Sequence, residues 1–259
     1  MGALRECPAC RSFVRSFTRR PLVVEVIAHR GMPRKSRENT LAGFALAIEA
    51  GADGIEIDVH ATRDGVVVVH HDAALAPPPG SPPGIHGIAI RALSFAELRR
   101  ETFGGGDVPT LDETLSFVDG RAVLYVEIKA PEIESRVVSE LALHGARAAV
   151  HSFDHRVSRT VRAIARDIPT GILSTSYLIE PERALKAANA RDYWQHWEMI
   201  DAALVRQVHA AGGRVIAWTV NSPAAIAHLR TLGVDAVCTD VADEVVPLVR
   251  QWRSALASG

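Results

Sequence analysis

Cysteine is scarce: Cys7, Cys10 and Cys238 are the only three among 259 residues. That is too few for a disulfide framework, which excludes the small stapled scaffolds of secreted proteins. Cys7 and Cys10 have the spacing of half a zinc knuckle, but no second Cys/His pair lies near enough in sequence to complete a tetrahedral site. The pair reads as thiols in a reduced tail. Neither sign of charge dominates, since 29 basic and 30 acidic residues leave a net charge of -1. No global field draws such a chain to nucleic acid or to an anionic membrane, so recognition of phosphate must be local. Long apolar runs are also missing, so neither a signal peptide nor a membrane span is expected. The first twenty residues instead carry Arg5, Arg11, Arg15, Arg19 and Arg20. The expectation is a cytoplasmic chain without membrane insertion, with a flexible basic tail over 1–21 and one domain over 22–259. No internal repeat is evident, and nothing specifies an oligomeric state.

What is present is a chain of 47% hydrophobic and 23% charged residues, long enough for one large α/β barrel. From Pro21 onward, short β-branched runs alternate with helix-period segments, the pattern of a parallel sheet with crossover helices. Strand candidates fall at 23–28, 54–59, 66–69, 122–128, 148–152, 170–173, 193–197, 214–220 and 236–239. These are nine candidates for eight barrel positions. The 193–197 segment, polar and aromatic, is the odd one out or a loop strand. Helix signals lie between them: Leu41, Phe44, Ala45 and Ile48 at i, i+3, i+4 and i+7 between an Asn39-Thr40 cap and Gly51. Ser94/Glu97 and Thr110/Glu113 have capping-box spacing, and Ser222-Pro223 suits the first positions of a helix running to about Thr231. The connection over 72–121, with the Pro/Gly patch "APPPGSPPG" at 76–84, is longer than one crossover requires. It reads as an insertion over one end of the barrel.

Polar residues within the strand candidates carry the chemistry. In "GIEIDVH", Glu56 and Asp58 share one face of a strand and Ile55, Ile57 and Val59 the other. Two carboxylates on a core face are costly unless a cation neutralises them, and oxygen donors favour Mg²⁺ or Ca²⁺ over zinc. Taken alone, a salt bridge to arginines would serve as well. "LYVEIKAP" repeats the arrangement with Glu127 as a third carboxylate and Lys129 as a cation for an anionic substrate. His29 ends the first strand and His71 follows the third. Polar groups at the carboxyl ends of barrel strands converge on one mouth, which is where chemistry sits in such folds. His60, His70, His86 and His151 read as structural or surface residues. Asp240 reads as a cap or a barrel-end ion pair.

The motifs "HRG" (29–31), "ENT" (38–40), "GADGIEIDVHATRDG" (51–65), "HD" (71–72), "VEIK" (126–129), "SF" (152–153), "WTVN" (218–221) and "GVDAVCTD" (233–240) follow one another in order. Together they resemble the glycerophosphodiester phosphodiesterase family over about residues 23–245. The resemblance implies a TIM (β/α)8 barrel that hydrolyses small glycerophosphodiesters to sn-glycerol 3-phosphate and an alcohol. It also implies one divalent cation, Mg²⁺ or Ca²⁺, on Glu56, Asp58 and Glu127, with His29 and His71 as the general acid/base pair. Arg30 and Lys129 would face the phosphate. Trp218 would wall the glycerol pocket or serve as a core indole, Asn39 and Glu38 would brace the Arg30 loop, and Asp72 would hold the tautomer of His71. The nucleophile is water or the substrate's own hydroxyl, and either histidine suits either role. "AALAPPPGSPPG" after the His-Asp motif, "RENT" and "TDVA" depart from the family pattern without removing any of these groups. Alternatives are a lysophospholipase D-type phosphodiesterase on the same barrel, a metal-dependent sugar isomerase or aldolase-like barrel, or an inert binding barrel.

Overall fold

The computed structural model describes residues 24–77, 87–101 and 108–257. The basic tail, the Cys7/Cys10 pair, His86 and most of the Pro/Gly patch lie outside them.

Strands and helices alternate: β1 (Glu25–His29), α1 (Leu41–Ala50), β2 (Gly54–Ala61), β3 (Val67–Val69), α2 (Phe95–Glu101), α3 (Leu111–Val118), β4 (Val123–Ile128), α4 (Glu134–Leu143), β5 (Ala148–Ser152) and α5 (His155–Ile164). They continue as β6 (Thr170–Ser174), α6 (Pro181–Ala188), β7 (Asp192–His196), α7 (Ala202–Ala210), β8 (Arg214–Trp218), α8 (Pro223–Leu232), β9 (Ala236–Thr239) and α9 (Ala242–Ala257). Of the nine strands among the described residues, β3 alone is antiparallel, and the other eight close into a parallel barrel through pairing of β1 with both β2 and β9. Closure leaves no free edge in the barrel. The chain is a TIM barrel.

The surplus strand is therefore β3, and the 193–197 segment belongs to β7, a full barrel strand. Its polarity has a physical cause. β7 sends Asp192, Trp194 and His196 into the barrel, where a large ring and two charged or polar ends are needed, rather than offering two aliphatic faces.

Two apolar layers hold the fold. Inside the barrel, Ile27, Tyr125, Ala149, Leu173, Trp194, Ile216, Ala236 and Cys238 form a compact plug. Gly171 makes room for it, because a Cβ there would lie 2.8 Å from Trp194 Nε1. Outside, the alternate strand residues, among them Ile55, Ile57, Val126, Val150 and Val215, pack against the helices in the main core. Caps follow the sequence signals: Thr40 Oγ1 accepts from Gly43 N before α1, which ends on left-handed Gly51. Thr110 and Glu113 form a reciprocal capping box, as do Ser94 and Glu97, and Ser222 precedes Pro223 at the start of α8. Among the described residues, no helix is long and apolar enough to cross a membrane.

Candidate active site

Register brings the polar strand residues together. His29 on β1 pairs with Glu56 on β2, Asp58 with Glu127 on β4, and Glu127 with His151 on β5. Each of these side chains alternates inward, so the row lines the carboxyl-terminal mouth above the apolar plug. The β1–α1 loop closes over it. Arg30 takes a left-handed backbone (φ 52°), as do Gly31 (φ 86°) and Asn39 (φ 55°). A Cβ at Gly31 would meet the Gly43 carbonyl carbon at 2.8 Å, so only glycine lets the loop rest on α1.

The loop's strained residues hold the carboxylates. The Arg30 amide donates to Glu56 Oε2 (3.2 Å), and its guanidinium lies 3.2 Å from Asp58 Oδ2 while bonding Glu38 at 3.0 and 3.2 Å. Asn39 does not cap α1. Its Nδ2 donates to Asp58 Oδ2 (2.9 Å) and its Oδ1 accepts from Asp58 N (3.4 Å). Lys129 Nζ sits 3.1 Å from Glu127 Oε1 and 3.5 Å from Asp58 Oδ1.

Three buried carboxylates thus face two cations. Burial pushes the Glu56 carboxyl well above the usual carboxylate range, and the charges of Asp58 and Glu127 push it further against the pull of Arg30. Burial and Asp58 likewise raise Glu127 to about 7, against Lys129. Burial works to raise Asp58 too, but Arg30, Lys129 and the Asn39 amide outweigh it and hold Asp58 below the usual range. Glu56 Oε1, Asp58 Oδ1 and both ring nitrogens of His151 are buried without hydrogen-bond partners. One ligand atom each from Glu56, Glu127 and His151 lies within 4.8 Å of the others. Unpaired anionic oxygens and a neutral imidazole at this spacing suit a metal ion. Burial drives the imidazole to about 3, which keeps it neutral.

Two histidine–aspartate pairs flank the cluster. His29 Nδ1 lies 2.7 Å from Asp240 Oδ1, and its Nε2 is 3.9 Å from Glu56 Oε2. Asp240 is itself fixed by Asn221, whose Nδ2 donates to Oδ2 (2.7 Å) and whose Oδ1 accepts from Asp240 N (2.8 Å). Burial works to raise Asp240, but the His29 bond and charge overcome it, so it is ionised and suited to accept a hydrogen bond from Nδ1–H. On the other side, His71 Nδ1 lies 2.8 Å from Asp72 Oδ1. His71 does not end a barrel strand: β3 runs antiparallel to β2 and leads the chain back down, with His70 N donating to Asp58 O (2.9 Å). A cleft of about 130 Å³ opens beside it, bounded by Glu38, Asn39, His70 and Asp72.

Trp218 ends β8 with its ring edge-on to Phe153 (5.4 Å) and to His196 (5.6 Å), and it also packs on the barrel plug. The packing on the plug matches the core-indole expectation. His60 and His70 are structural, with ring nitrogens on the carbonyls of His71 (3.1 Å) and Asp72 (2.9 Å). Sequence reasoning missed His151 and the bracing role of Asn221. His151 was legible through period-2 alternation from Ala149, and Asn221 closes the "WTVN" motif, whose sequence does not name Asp240 as its partner.

The model of the glycerophosphoryl diester phosphodiesterase family matches residues 29–244. A glycerophosphodiester phosphodiesterase of Caldanaerobacter subterraneus is 30% identical over 237 residues, covering 87% of this chain and 98% of the relative. One from Bacillus altitudinis is 29% identical, with 89% and 100% covered. Among solved structures, a putative glycerophosphoryl diester phosphodiesterase from Silicibacter pomeroyi superposes with a TM-score of 0.81 at 28% identity, covering 90% and 95%. An Oleispira antarctica phosphodiesterase, solved with its product sn-glycerol-3-phosphate, gives 0.77 at 25% identity, covering 88% and 97%. This barrel, with its acidic mouth and its two histidine–aspartate pairs, belongs to the glycerophosphoryl diester phosphodiesterase family and is an enzyme of that phosphodiesterase class.

Proposed function

We propose that the chain hydrolyses glycerophosphodiesters to sn-glycerol 3-phosphate and an alcohol, using one divalent cation at Glu56, Asp58 and Glu127. The observation that carries this is the excess of buried carboxylate over cation at the mouth, with oxygens left unpartnered beside Arg30 and Lys129. Carboxylate donors favour Mg²⁺ or Ca²⁺. When bound, the ion would neutralise this excess and polarise the phosphoryl oxygens.

The chain's own groups account for the remaining demands. Arg30 and Lys129 stand on either side of Asp58 and offset charge that builds on the phosphoryl oxygens in the transition state. Asp240 and Asp72 each take the Nδ1 side of a histidine, leaving Nε2 of His29 and of His71 for the substrate. One histidine removes the proton of the nucleophile, either water or a substrate hydroxyl whose cyclic phosphate water then opens, and the other protonates the departing alkoxide. Trp218 and Phe153 offer an apolar wall for the glycerol carbons.

The test is release of glycerol 3-phosphate from glycerophosphocholine and glycerophosphoethanolamine, in EDTA and after restoring Mg²⁺ or Ca²⁺, for the wild type, His29→Ala and Glu56→Ala. Release that needs the ion and is lost in both variants is expected. A folded wild type that releases nothing with any ion would overturn the substrate assignment.

A further inference from the structure

His151 has no place in the acid/base pair or among the three carboxylates, yet it is as deeply buried as they are. It is 1% exposed, and neither ring nitrogen has a hydrogen-bond partner. A buried histidine without a partner is rare, because a neutral ring carries one donor and one acceptor that each need satisfying. Its position is fixed twice. On β5 it is the strand neighbour of Glu127, and its ring stacks on Trp194 at 4.2 Å between centroids with an 11° interplanar angle. Trp194 is itself wedged in the plug against Tyr125. The imidazole is therefore held flat on one face with an edge toward the carboxylates. One ring nitrogen lies within 4.8 Å of carboxylate oxygens of both Glu56 and Glu127.

Asp58, the third carboxylate of that reading, is shared with other groups. Arg30, Asn39 and Lys129 claim it, and it is not part of the group whose ligand atoms converge. The convergent donor set is two carboxylates and one imidazole. Calcium takes six to eight oxygen donors at flexible distances and gains little from a nitrogen. Imidazole suits iron, nickel, copper and zinc, and affinity for such sites climbs from manganese through cobalt to copper before falling at zinc.

We infer that His151 is a direct ligand of the active-site cation, joining Glu56 and Glu127, and that it shifts the site's preference from Ca²⁺ toward a first-row transition ion. The inference rests on the divalent-cation reading above and adds a nitrogen donor and an ion preference to it. Asp58, the third carboxylate, also keeps Arg30 and Lys129 in place for the substrate.

The experiment is calorimetric titration of the chelator-treated full chain with Co²⁺ and with Ca²⁺, for the wild type, His151→Gln, His151→Ala and Glu56→Gln. The Co²⁺-loaded wild type is also examined by NMR for a hyperfine-shifted imidazole N–H. The wild type should bind Co²⁺ at least about tenfold more tightly than Ca²⁺, and both His151 variants should lose about 10- to 100-fold in Co²⁺ affinity. Ca²⁺ affinity should change less than about threefold in them, and the shifted imidazole signal should disappear. If Glu56→Gln abolishes binding while the His151 variants bind Co²⁺ like the wild type, His151 is not a ligand and the cation reading stands. If the wild type binds neither ion, both fail. Should His151→Ala not fold, His151→Gln and the wild-type NMR signal still decide the matter: a Co²⁺-loaded wild type without any shifted imidazole N–H overturns the proposal.

Discussion

The two mouths of the barrel are built from the same strands and the same residue types, and they differ in whether the charges are matched. At the amino-terminal mouth, β1 contributes Glu25, which accepts from Tyr125 Oη (2.7 Å) and pairs with Arg214. β7 contributes buried Asp192, held bidentately by Arg191 at 2.8 and 2.6 Å, and Asp53 is held by Arg253 at 3.1 and 2.7 Å. Each of these three acids has an arginine. At the carboxyl-terminal mouth, the same β1 ends in His29, and Glu56, Asp58 and Glu127 share Arg30 and Lys129, leaving oxygens unpaired. Cavity size points the wrong way: a hollow of about 850 Å³ lies among the paired charges of the first mouth, against about 130 Å³ beside His71. Unbalanced charge, and not empty volume, singles out the mouth where the proposed chemistry sits. A matched network stabilises the fold, whereas an unmatched one reserves its unpaired groups for an ion or a substrate.

This contrast can be broken most sharply at the histidines. His29→Ala or His71→Ala should lower kcat on glycerophosphocholine by about 10²- to 10⁴-fold with little change in thermal midpoint, since neither ring belongs to the core. A loss of stability to match would move them into the structural class. Glu56→Gln should lower kcat by about 10²- to 10³-fold. In EDTA its thermal midpoint should stay level or rise, because one of three crowded carboxylates is gone. Calorimetry showing a clear fall would mean that the mouth is not frustrated. Arg191→Met is the mirror test at the opposite mouth. It strands buried Asp192 with only Arg214, 3.8 Å away, and should cost on the order of 3 kcal/mol in urea unfolding while kcat of the folded fraction changes less than about twofold.

The smallest effect sharpens the comparison at a carboxylate belonging to neither mouth. Glu140 on α4 has a buried, unpartnered Oε2, and burial together with Asp112 raises it to about 7 against the pull of His144. Because its folded value lies above the unfolded one, it favours the fold at acid pH. That contribution is lost as pH rises from about 4.5 to 7. Glu140→Gln should therefore stabilise the fold at pH 8 and not at pH 4, by ~1 kcal/mol at most, read as a rise in thermal midpoint, since the half-exposed group is screened by solvent. Divalent ions should not alter this difference, as they should at Glu56.

Much of the architecture was legible because it rests on local rules. Alternation placed Glu56 and Asp58 on one face, and the Thr40, Thr110 and Ser222 caps lie where their side chains predict. The 193–197 strand was misjudged because its inward face serves the barrel's interior and ends, which only closure creates. His71 was placed on a barrel strand because a run of valines does not say whether its partner is parallel or antiparallel. His151 was set aside because a lone histidine in an apolar run says nothing of its neighbours, and the register of β4 with β5 supplies Glu127.

By itself the sequence determined the class of fold, the family and the residue types that carry the chemistry, because strand and helix periodicity and the ordered motifs are properties of the chain alone. Only the tertiary structure decided which charges are matched and which are left over. Asn39 could turn from cap to Asp58 clamp, Asp240 from barrel-end acid to partner of His29, and His151 from core ring to neighbour of two carboxylates only once the strands had closed. Whether a buried polar group is satisfied depends on partners distant in sequence, and the closed barrel alone brings those within reach.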